Sequence, residues 1–97
     1  MKNFRTYQLS LNLVREGRSI ELSGCYRNQF QRALLSIPLN LAEGSAKTSN
    51  ADRKRFYTIA LGSLREVQAI IEILEIESLR KSADEVGASL YRLTRSL

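Results

Sequence analysis

The chain has 97 residues, 43% hydrophobic and 26% charged, the composition of one small globular domain over residues 1–97 and not of a disordered chain. It contains no histidine and a single cysteine, Cys25, which removes the commonest general base near neutral pH, any internal disulfide and any cysteine-built zinc site. Fifteen Lys and Arg against ten Asp and Glu leave a net charge of +5, a sign suited to polyanions such as RNA or DNA, and no stretch reaches the roughly 18 apolar residues of a membrane span, so a cytoplasmic protein is expected.

A first helix is predicted from Asn3 to Glu16, with Phe4, Tyr7, Leu11 and Val14 on one face and Gly17 as its terminator. A second begins between Ser19 and Ser23 and runs to Gly44, with the stripe Leu22, Tyr26, Phe30, Ala33, Ile37 and Leu41; Cys25 lies near this stripe and reads as a small core residue. Pro38 interrupts the second helix, and because the apolar pattern continues past it, one kinked helix is expected rather than two. Asn40 sits where it could serve backbone groups freed by the kink, or could simply be exposed.

The polar connector Ser45 to Asn50 offers Ser49 or Asn50 as the cap of the longest helix, predicted from Ala51 to Leu79. Its core face carries Phe56, Tyr57, Ala60, Leu64, Val67, Ile71 and Leu74. Nearly opposite lie Thr58, Gly62, Arg65, Ala69, Ile73 and Ile76, a second seam that a monomer does not need. Thr58, Gly62, Ala69, Ile73 and Ile76 are accordingly the expected subunit interface. A fourth helix is predicted from Ser82 to Ser96, opened by a Ser82–Glu85 capping box. The sum is an all-α, up-and-down four-helix bundle with a proline-kinked second helix.

Charge is segregated along the chain. Residues 1–65 hold eleven basic and four acidic groups, whereas residues 66–85 hold two and six. Lys47, Arg53, Lys54 and Arg55 cluster where the connector enters the long helix, beside free backbone N–H groups at the positive end of its dipole. With Arg65, Arg27 and Arg32 they are the candidate nucleic-acid contacts; the same charges would also serve as a solubilising face. No aromatic stacking platform accompanies them in the sequence. No phosphate loop, nucleophile elbow, paired catalytic residues or metal spacing is found, so no catalytic residue, metal or cofactor is assigned and an enzyme is not expected.

Ala33 to Gly44 reads A-x-x-S-I-P-x-N-x-A-E-G, and Ala60 to Glu66 reads A-x-G-S-x-x-E. Across residues 29–75 these blocks resemble the bacterial "four helix bundle protein" family, which is similar to proteins encoded in intervening sequences of large-subunit ribosomal RNA genes and to accessory variability proteins of diversity-generating retroelements. The resemblance implies an up-and-down bundle assembling as a ring-like homopentamer and no catalysis. For the retroelement members it implies a basic surface that binds RNA or DNA and a reverse transcriptase. The expected function is therefore a non-enzymatic, oligomeric nucleic-acid-binding accessory protein, and the alternative is a protein-interaction scaffold encoded in a ribosomal RNA intervening sequence.

Overall fold

The computed structural model describes residues 4–97; Asn3, the expected start of the first helix, and Lys2 lie outside the described residues. The elements are α1 (Arg5–Arg18), α2 (Gly24–Ser45), α3 (Asn50–Ile73), a 3₁₀ turn (Glu77–Leu79) and α4 (Arg80–Arg95). Each helix packs on its neighbour in sequence and α4 closes back on α1, giving a body of 40 × 22 × 21 Å around one core.

α1 packs on a different face from the one its apolar spacing predicts. Phe4, Tyr7, Leu11 and Val14 are only half-buried, and the buried line is Thr6, Ser10, Leu13 and Gly17. Small side chains let α1 approach closely: a Cβ on Gly17 would stand 2.5 Å from Leu34 Cδ1. The buried hydroxyls are satisfied, Thr6 Oγ1 with Ser89 Oγ at 2.6 Å across to α4 and Ser10 Oγ donating to the Tyr7 carbonyl at 2.7 Å, so their burial carries no unpaired polar group. Gly17 is thus a contact glycine and not a terminator; the helix runs on to Arg18 and ends at Ser19 in right-handed conformation.

α2 runs unbroken through the buried Pro38. Proline frees the carbonyl four residues back, that of Leu34, but Asn40 serves a different group: its Nδ2 donates to the Ser36 carbonyl at 2.8 Å and to Ser36 Oγ at 3.0 Å. Ser36 Oγ pairs in turn with Ser63 Oγ at 2.7 Å, so Ser36 joins α2 to α3 and Asn40 holds the Ser36 hydroxyl. Phe30, Ala33, Leu34, Ile37 and Leu41 form the core face. Cys25 and Tyr26, expected on that face, are exposed. They occupy the first turn of α2, beside the last turn of α3, where a shallow hollow lined by Ile70, Ile73 and Leu74 stays open.

The long third helix is shorter than its apolar pattern suggests. It ends at Ile73 in a Schellman motif, in which the Ile76 N–H donates to the Ile71 carbonyl at 2.9 Å and the Glu75 N–H to the Glu72 carbonyl at 3.3 Å. Glu75 takes the left-handed conformation this requires, at φ 56°. The reversal swings Ile76 inward, where it is 9% exposed, while Ile73 stays 74% exposed. Ile76 is therefore a core residue and leaves the predicted seam. The Ser82–Glu85 capping box is not formed; α4 starts at Arg80 after an uncapped Leu79, and Arg80 instead donates to both carboxylate oxygens of Glu77 at 3.1 and 2.9 Å.

Candidate nucleic-acid interface

The connector between α2 and α3 is built to present cations. Ser49 caps α3, its Oγ accepting from the Asp52 N–H at 3.1 Å. Arg53 ties the connector down, Nε donating to the Lys47 carbonyl at 3.0 Å and Nη1 to Asn50 Oδ1 at 2.9 Å. The half-buried Phe56 ring then gathers two more cations, with Lys47 Nζ 5.2 Å and Arg55 Cζ 4.6 Å from its centroid, contacts that hold long side chains in place. Lys47 also pairs with Glu43 at 3.1 Å. Beneath this layer the Tyr57 phenol is buried, which raises its pKa above the ordinary tyrosine value although the charge of Arg53 pulls the other way. Gly44 makes the junction possible, since a Cβ there would stand 2.7 Å from Tyr57 Cε1.

Antiparallel packing turns the charge segregation of the sequence into polarity along the molecule. Gly87 lies against Leu64, Arg65 and Gln68, and Gln68 Nε2 donates to Asp84 Oδ1 at 3.1 Å, so the second half of α4 runs beside the first half of α3. Thr6 on Ser89 and Phe4 against Tyr57, 6.0 Å between rings, bring the start of α1 to the same end. Residues 4–14, 53–65 and 86–96 carry no acidic side chain and contribute Arg5, Arg53, Lys54, Arg55, Arg65, Arg92 and Arg95; Glu43, paired with Lys47, and Asp52 are acidic groups beside the connector at this end. The opposite end mixes Arg15, Arg18, Arg27, Arg80 and Lys81 with Glu16, Glu21, Glu72, Glu75, Glu77, Asp84 and Glu85.

Of the residues singled out from sequence, Lys47, Arg53, Lys54 and Arg55 therefore stand together at the basic end. Arg65 is about three turns further along α3 than Arg55, its Nη1 donating to Gln68 Oε1 at 2.7 Å. Arg32 is exposed midway along α2, and Arg27 belongs to the mixed-charge end, in a shallow hollow with Arg18 and Glu21. The sequence shows Arg5 as one of the basic residues of the first helix without joining it to this cluster, and it does not single out Arg92, Arg95 and Tyr91. The antiparallel return of α4 places those three, and with Tyr91, 45% exposed, an aromatic side chain does accompany the basic residues.

On the other faces, Thr58, Gly62, Ala69 and Ile73 are exposed along α3, and a Cβ on Gly62 would meet nothing within 4 Å. Leu35, Leu39 and Ile59 are also large exposed apolar residues. Among the described residues, no three His, Cys, Asp or Glu side chains come together as a metal site, and no helix is long and apolar enough to cross a membrane.

The family described as 23S rRNA-intervening sequence protein matches residues 2–96. The chain belongs to this family. The match extends the sequence resemblance from the central blocks to nearly the whole chain. The family has no known catalytic role. A search of curated proteins finds no match.

Proposed function

We propose that the protein is a non-enzymatic, self-associating nucleic-acid-binding protein that takes the phosphate backbone on its basic end. One observation carries this reading: three helix segments that share an end of the molecule contain cations and no acidic side chain. Lys54 and Arg55 in the first turns of α3 and Arg92 and Arg95 in the last turns of α4 are the phosphate contacts. Arg53 supports them by holding the connector, since two of its N–H groups are already committed. Self-association, as a ring and a pentamer by family resemblance, would repeat this end around the assembly and multiply its avidity.

Electrophoretic mobility shift with structured RNA and duplex DNA at two salt concentrations tests the reading. Binding at low salt that weakens steeply as salt rises is expected, with Lys54→Glu plus Arg55→Glu abolishing it. Absence of binding at low salt, or indifference to that double reversal, overturns it.

A second reading, a protein-interaction scaffold, draws on the exposed apolar side chains Leu35, Leu39, Ile59 and Ile73, which a partner would cover. Within either reading the family match favours a role tied to ribosomal RNA intervening sequences. A reverse transcriptase gene and template repeat beside the coding sequence would instead favour a retroelement accessory that binds that enzyme.

A further inference from the structure

We propose that Tyr91 and Arg95 form a base-stacking site, so that the nucleic acid this protein prefers contains unpaired bases. The inference rests on the phosphate-binding reading above and adds to it which form of nucleic acid is taken. Tyr91 is 45% exposed and lies on α4 one turn before Arg95, whose guanidinium carbon is 5.5 Å from the ring centroid. A planar cation packed on an exposed phenol ring is a surface on which a nucleobase stacks and a neighbouring phosphate is neutralised. A base inside a duplex has both faces covered and cannot use it.

The position of the ring decides its ligand. With Gly87 opposite Leu64 to Gln68, the antiparallel register sets Tyr91 opposite the third turn of α3, about 10 Å along the axis from Lys54 at 1.5 Å per residue. Residues 86–96 and 53–65, which surround it, contain no acidic side chain. The comparison within the molecule is Tyr26, 55% exposed but at the mixed-charge end, beside a hollow lined by Ile70, Ile73 and Leu74 and by Gln29, whose amide donates to the Glu66 carboxylate at 2.7 Å. Tyr26 lacks the surroundings a polyanion needs, and Tyr91 has them. The Phe56 ring does not substitute, because it is less exposed than Tyr91 and two cations, Lys47 and Arg55, lie against it rather than one.

The test is fluorescence anisotropy with a labelled mixed-sequence 20-nucleotide RNA, presented single-stranded or annealed to its complement, at low salt. Wild-type protein should bind the single strand more tightly. Tyr91→Ala should weaken single-strand binding about tenfold, the loss expected of one stacked base, and leave duplex binding unchanged, while Tyr91→Phe retains wild-type affinity. Because Tyr91 is exposed, these variants keep the fold, which circular dichroism checks. Equal binding of both substrates by wild-type protein, or a Tyr91→Ala loss that is nil or the same on both, overturns the stacking site while the phosphate reading stands. Wild-type protein that binds neither substrate overturns both.

Discussion

Glycine and glutamate exchange their usual places in this chain. Gly17 and Gly44 sit where a helix is expected to stop, yet both lie inside helices and serve as points of close approach, to Leu34 and to Tyr57. Among the described residues, the one left-handed helix terminus formed by a non-glycine residue belongs to Glu75, φ 56°, in a Schellman motif that ordinarily recruits glycine. A side chain at that conformation costs roughly 1–2 kcal/mol, and glycine removes the clash while adding some unfolded-state entropy. Glu75→Gly should therefore stabilise the protein by about 0.5–1 kcal/mol, a gain of several degrees in Tm for a domain of this size. Thermal denaturation by circular dichroism checks it, and a lowered Tm would show that the carboxylate makes a compensating contact. The same residue explains a limit on sequence reading, since nothing in Leu74-Glu75-Ile76 announces a turn.

At the scale of elements, four helices were legible because each carries a 3.6-residue apolar period. Two of their details were not. The phase of α1 was misjudged because Phe4, Tyr7, Leu11 and Val14 are its largest apolar residues, whereas close packing selected the small Thr6, Ser10 and Gly17, with hydrogen bonds making their burial tolerable. The end of α3 departs from the expected one because Ile71 and Leu74 on one face, and Ile73 and Ile76 on the other, keep a helical spacing of three while the backbone reverses. This difference is measurable. A continuous helix would leave Ile73 and Ile76 on one exposed seam, and the observed turn buries only Ile76. Ile76→Ala should cost about 2–4 kcal/mol, as for a buried isoleucine, and Ile73→Ala should change stability by less than about 0.5 kcal/mol. Urea denaturation of both variants distinguishes the two geometries; equal, small effects would restore the longer helix.

The candidate site shows the same division between what is local and what is folded. The cluster from Lys47 to Arg55 is contiguous, so it was visible in the sequence, and so was the capping serine that starts α3. The contribution of Arg5, Tyr91, Arg92 and Arg95 depends on three helix segments meeting at one end, a consequence of topology that no local pattern contains. Arg53 reads in the sequence as a phosphate contact like Lys54, and the fold gives it a further task, since two of its N–H groups hold the connector.

For the molecule as a whole, the open question of surface is self-association, and it is decided by which apolar face is covered. A 97-residue domain buries a modest fraction of its chain, so an assembly adds burial that a monomer lacks. The outward line Thr58, Gly62, Ala69 and Ile73 on α3 is exposed, and open space at Gly62 lets a second helix come close without displacing any side chain. Gly62→Glu and Ala69→Glu should each leave a folded protein, because neither site is in the core, but should dissociate it by placing an unpaired charge in the contact. Light scattering coupled to size exclusion at micromolar concentration gives the mass, and circular dichroism confirms the helices. A wild-type monomer removes the interface altogether. An assembly untouched by both substitutions but broken by Leu39→Glu moves the contact to the outer face of α2, where Leu35 and Leu39 are the exposed apolar residues.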